Sequence, residues 1–145
     1  MAVKYMTILF MIVMTRSLVY GQIYEDAEKV FRLSEETQKP ILLVFSGSDW
    51  CAPCIKFHNN VLSQESFLSY AADHFFILKA DFPQRKKLPA ERKAQNEQLA
   101  DQFNPAGQFP HIVLLNPDKK LIRTLFYKNQ SAERFVEELS RQFAE

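Results

Sequence analysis

Residues 41–45, Ile41-Leu42-Leu43-Val44-Phe45, are apolar without interruption. A run of that length marks a strand buried on both faces. A second buried strand covers 75–80 and ends at Asp81, and a third strand covers 111–115. The turn residues Asn116-Pro117-Asp118-Lys119 separate the third from a fourth strand at 120–126, so those two form an antiparallel hairpin. Helical spacing fills the intervals. In residues 24–38, Ala27, Val30, Phe31 and Ser34 share one face among charged neighbours, and Lys39-Pro40 ends the helix. From Ala52 a helix runs through Ile55, Phe57, Val61 and Leu62; Ser63-Gln64-Glu65-Ser66 restarts it as a second helix over 65–72. Residues 90–103 are polar with a thin stripe of Ala94, Leu99, Ala100 and Phe103. A last helix follows the N-cap Ser131 and buries Phe135, Val136, Leu139 and Phe143. The predicted order is α-β-α-α-β-α-β-β-α. It describes an α/β three-layer sandwich whose mixed four-stranded sheet has parallel early strands and an antiparallel last pair.

The first residues do not fit this scheme. Lys4 precedes a nine-residue apolar stretch, Met6 to Met14, and small residues follow at Ser17 and Gly21. This is the pattern of a signal peptide over residues 1–21, with cleavage after Gly21, leaving one domain at 22–145. The stretch is well short of the roughly 20 residues that span a bilayer. Removing residues 1–21 takes away Lys4 and Arg16 and moves the formal charge from +1 to −1. So small a net charge gives no reason to expect a nucleic acid as partner. The expected location is outside the cytoplasm, periplasmic or secreted.

Export changes the meaning of the cysteines, of which there are two, Cys51 and Cys54. They follow the first core strand and open a helix. Positions i and i+3 on a helix share a face, within reach of a disulfide, so the pair opens and closes without unfolding anything. Cys51 at the helix start is placed for a thiolate; Cys54, one turn deeper, is placed to resolve a mixed disulfide. A disulfide that only pins a helix start is the plainer reading, but so short a loop gains little from closure. A third reading is a metal site made of Cys51, Cys54, His58 and His111.

Trp50-Cys51-Ala52-Pro53-Cys54 after the first core strand, with Phe109-Pro110-His111 before the third, resembles the thioredoxin superfamily. The likeness is closer to exported bacterial thioredoxin-like proteins, through Phe45-Ser46-Gly47-Ser48-Asp49-Trp50 and Ala80-Asp81-Phe82-Pro83. The resemblance covers residues 24–143 and implies a thioredoxin-like fold and a thiol–disulfide oxidoreductase. By position it implies Cys51 as the attacking cysteine, Cys54 as the resolving one, Trp50 flanking the site and Pro110 as a cis-proline. The cis bond would place the Phe109 backbone beside Cys51 to pair with an extended substrate. Pro53 is retained between the cysteines and suits a helix's first turn. Thioredoxins carry a buried aspartate on the strand before the motif; here Val44-Phe45 is apolar, and Asp49 is too exposed to replace it.

The expected reaction needs no organic cofactor and no metal. The expected partners are protein substrates with disulfides or thiols and a membrane electron donor or acceptor, and the protein is expected to be a monomer. The Ala52-Pro53 dipeptide leans towards a reductant. Two other classes stay open: an adaptor or chaperone holding extended chains on the Phe109 surface, and the metal-binding chaperone. His111 is either a proton donor that tunes Cys51 or a strand residue without chemistry. Arg85-Lys86-Lys87 reads as a solvated loop, with an acidic partner as the alternative. The phenylalanines other than Phe109 are expected in the core.

Overall fold

The computed structural model describes residues 20–143. The elements in chain order are β1 (Ile23–Tyr24), α1 (Ala27–Thr37), β2 (Ile41–Ser46), α2 (Ala52–Phe57), a π-helical turn (His58–Leu62), α3 (Glu65–His74), β3 (Phe76–Asp81), α4 (Ala90–Phe103), β4 (His111–Leu115), β5 (Leu121–Leu125) and α5 (Ala132–Ser140). The strands form one sheet in the order β1-β3-β2-β4-β5. β1 and β2 run parallel to β3; β4 is antiparallel to β2 and to β5. Among the described residues no helix is long and apolar enough to cross a membrane.

β2 is the centre of the molecule, and all six of its residues are buried. Alternation along it divides the core. Leu42 and Val44 face the side covered by α2, the π turn, α3 and α5, with Phe57, Phe67 and Phe135 filling that layer. Ile41, Leu43 and Phe45 face α1 and α4, where Val30 and Leu99 close the second layer. Each fully buried Phe or Leu contributes about 2–3 kcal/mol by leaving water.

The sheet has five strands where four were expected. Ile23 and Tyr24 pair with Ile77 and Leu78 at the edge, so Tyr24 belongs to a strand. The helix begins only at Ala27, because the Asp26 side chain caps it by accepting from the Lys29 N–H at 3.0 Å. A two-residue strand is too short to leave a period in the sequence. The helix after Cys51 also departs from expectation: it widens into a π turn at His58–Leu62 before Ser63. Phe126 is 61% exposed. It lies just past the edge strand β5 and is a second exception to the expectation that the phenylalanines fill the core.

The expected signal peptide falls almost wholly on residues 1–19, outside the described residues. Of its last two residues, Tyr20 donates to the Glu65 carboxylate at 2.8 Å and the Gly21 N–H to the Leu68 carbonyl at 2.6 Å.

Candidate active site

β2 delivers the chain to the site and a tight turn reverses it. The N–H groups of Trp50 and Cys51 both donate to the Gly47 carbonyl, at 3.3 and 2.9 Å. Cys51 is the N-cap of α2, with extended backbone at φ −89° and ψ 99°, and its Sγ accepts the Cys54 N–H at 3.3 Å. Pro53 sits in the first turn, where its missing N–H leaves no bond unmade. Cys51 and Cys54 form a disulfide with Cα atoms 5.2 Å apart. Both are buried, Cys51 at 5% exposure and Cys54 at 2%, so the expected difference between them is small. The Cys54 N–H at the start of α2 thus already points at the Cys51 sulfur, the placement that favours a thiolate at a helix N-terminus.

Trp50 is 39% exposed, and its indole packs against Gly47. A Cβ at position 47 would come within 2.3 Å of the ring, so only glycine permits this packing. The indole N–H donates to the Phe82 carbonyl at 2.7 Å. Phe109 meets Trp50 edge-on at 5.4 Å between ring centres and meets Phe82 at 5.5 Å. The Phe109–Pro110 peptide is cis. Phe109 and Pro110 are half-buried. Trp50, which precedes Cys51 in the chain, thus joins an aromatic group drawn from three loops.

His111 opens β4, opposite Phe45 in the register. Its Nε2 lies 3.1 Å from the Phe103 carbonyl at the end of α4. A carbonyl only accepts, so Nε2 carries the proton and is committed to it. Burial lowers the imidazole below its ordinary range, against the raising effect of that bond. His111 therefore ties β4 to α4 as a neutral ring. Burial, with Lys79 nearby, also lowers His58. Among the described residues no three His, Cys, Asp or Glu side chains are grouped to hold a metal, so Cys51, Cys54, His58 and His111 do not form such a set.

Two carboxylates whose partners the pattern along the chain does not reveal fasten the site. Asp81, at the end of β3 and 4% exposed, accepts both the N–H and the hydroxyl of Ser48. Its own carbonyl accepts the side-chain amide of buried Asn96 at 2.8 Å. Asp49 accepts three successive backbone N–H groups, those of Gln84, Arg85 and Lys86, at 2.8, 2.8 and 2.9 Å. The bonds from Gln84 and Lys86 are the main reason its carboxyl is held below the usual carboxylate range. Asp49 thus acts as a clamp between loops. The only sequence trace of this fastening was an aspartate ending an apolar run and followed by Phe82-Pro83.

Residues 22–117 match the family described as thioredoxin-like. A protein of Chlamydia pneumoniae named "Disulfide bond reductase DsbH" is 30% identical over 113 residues, 78% of this chain and 68% of that protein. Another from the same organism, "Thioredoxin-related protein DsbJ", is 27% identical over 97 residues; the match spans 67% of this chain but 28% of that longer protein. The solved structure titled "DsbH Oxidoreductase" superposes with a TM-score of 0.79 at 27% identity, over 88% of this chain and 89% of that one.

Proposed function

This chain belongs to the thioredoxin-like family, and on that premise we propose that it is an exported thiol–disulfide oxidoreductase that works as a reductant of protein disulfides. The observation that carries the reading is the Cys51–Cys54 pair at the start of α2, closed by a disulfide and bordered by the exposed Trp50. Nothing in such a short cross-link serves stability well enough to explain it. The disulfide bond reductase among its relatives supports the direction of electron flow. The Lys4-led apolar stretch supports export.

In the reductive direction the Cys51 thiolate attacks one sulfur of a substrate disulfide. A Cys51–substrate bond forms, the substrate S–S bond breaks, and the first substrate sulfur leaves as a thiolate that takes up a proton. Cys54 then loses its proton and attacks the Cys51 sulfur. The second substrate thiol is released, and the Cys51–Cys54 disulfide is restored. Two electrons pass to the substrate, so each cycle needs a dithiol donor, which for an exported protein means one at or across the membrane. Phe109 and Pro110, beside Trp50, offer the surface along which an extended substrate segment would lie.

The test uses Cys54→Ser, which cannot complete the second step. Mixed with disulfide-bonded substrate proteins, it should accumulate a mixed disulfide through Cys51 that dithiothreitol releases. Wild-type protein should speed the reduction of insulin by dithiothreitol, and Cys51→Ser should not. An adaptor with incidental cysteines would keep its partners in the Cys51→Ser, Cys54→Ser double variant and show no turnover in the wild type.

A further inference from the structure

The loop after β3 carries Arg85, Lys86 and Lys87, all exposed, and its backbone is fastened to the redox loop. Asp49 holds the N–H groups of residues 84–86, the Trp50 indole holds the Phe82 carbonyl, and the Phe82 N–H donates to the Ser46 carbonyl at 2.8 Å. The main chain bearing the three cations is therefore fixed against Asp49, two residues before Cys51. Arg85 acts at a distance on the Asp49 carboxylate, but among the described residues none of Arg85, Lys86 and Lys87 makes an ion pair. The Asp49 carboxylate, beneath the same stretch of chain, accepts from three backbone donors. Beneath the loop lies a cleft of about 400 Å³ lined by Lys86, Lys87, Lys93 and Asn96, whose carboxylates are Asp81, bonded to Ser48, and Glu97, 3.9 Å from Lys93. A solvated loop needs no such fastening. A local excess of positive charge held beside a reactive sulfur attracts anionic segments and repels cationic ones.

We propose that the 82–89 loop is a substrate-selecting surface that favours extended protein segments with Asp or Glu residues close to their disulfide. The proposal rests on the redox reading above and names the substrate class of that same site.

The test compares two disulfide-bonded peptides that differ only in flanking residues, Asp and Glu in one, Asn and Gln in the other. Wild-type protein in its dithiol form should reduce the acidic peptide about fivefold faster at low salt, and the ratio should shrink as salt is added. The variant Arg85→Gln, Lys86→Gln, Lys87→Gln should reduce both peptides at the slower rate while reducing uncharged hydroxyethyl disulfide as fast as wild type. Equal rates for the two peptides with wild type, or an undiminished preference in the variant, overturns the proposal. Failure of wild type to reduce hydroxyethyl disulfide would instead sink the redox reading. In that case equilibrium binding of the same acidic and amide peptides, with serine in place of cysteine, decides the docking surface alone. Loop-dependent binding to phosphatidylglycerol vesicles without a peptide preference would assign the cations to a membrane surface and likewise overturn the proposal.

Discussion

The loop of residues 46–54 and the loop of residues 82–89 lie against one another but dispose their groups differently. In the first, the polar groups turn inward: Ser48 to Asp81, Asp49 to three amides, the Trp50 indole to Phe82, Cys54 to Cys51. In the second, the backbone turns inward onto Asp49 while the cationic side chains point to water. Sulfur chemistry requires two atoms at one separation, so the redox loop is over-determined. Attraction of a charged segment acts over several ångströms, so the second loop needs only a fixed main chain and free side chains.

The contrast breaks most completely at the sulfur. Cys51→Ser should drop the reduction of every disulfide substrate to the uncatalysed rate, in an insulin or peptide assay, whatever the charge of the substrate. The triple loop variant should leave uncharged substrates untouched. A loop variant that slowed all substrates alike would place the 82–89 loop in the redox machinery and erase the distinction.

Next comes Asp81. Asp81→Ala removes the buried carboxylate that accepts from the Ser48 N–H and hydroxyl, and the loss of these two hydrogen bonds to a charged group should cost about 2 kcal/mol. The urea midpoint should fall with an unchanged slope. Asp49→Ala should lower the midpoint less, because its carboxylate is closer to water. Its stronger signature is local: the amides of residues 84–86 should exchange with deuterium faster than in wild type. Preference for acidic peptides should also fall, although the variant carries one more net positive charge. A preference that rose instead would show that charge alone matters and the clamp does not.

The smallest effect is in pH. His111 is held below the ordinary imidazole range by burial, so the unfolded chain takes up its proton first as pH falls. The stability from its neutral form is complete above about pH 6.5 and is lost progressively below that value. Asp49 is held below the carboxylate range by backbone donors. Its contribution is complete above about pH 4 and is lost as pH falls further. Urea midpoints between pH 7.5 and 5 should decline for wild type and decline less for His111→Gln, with His58 keeping part of the slope.

These features were not equally legible in the sequence. β2 shows as an unbroken apolar run and β3 as one interrupted by Lys79, and α4 and β4 occupy their expected limits because Asn104-Pro105 and Phe109-Pro110 punctuate the chain. Cys51 and Cys54 needed only their spacing and the strand before them. β1 escaped because its two residues pair with a strand more than fifty positions away. The π turn escaped because His58-Asn59-Asn60 carries no breaking residue. The partners of Asp49 and Asp81 are hidden for a related reason: a carboxylate bonded to amides 33 or more positions away leaves no periodic trace in the sequence. His111 was flagged, but its tie to the Phe103 carbonyl depends on how α4 meets β4.

The central claim is that Cys51 and Cys54 are a donor couple. Its most direct test is the reduction potential of the pair, by equilibrating the protein with glutathione or dithiothreitol buffers and quantifying the dithiol form. A donor couple should give a value near that of thioredoxin, about −270 mV. A value near about −120 mV would make the protein an oxidant and contradict the direction proposed. A pair that failed to equilibrate at all would contradict the exchange reaction itself.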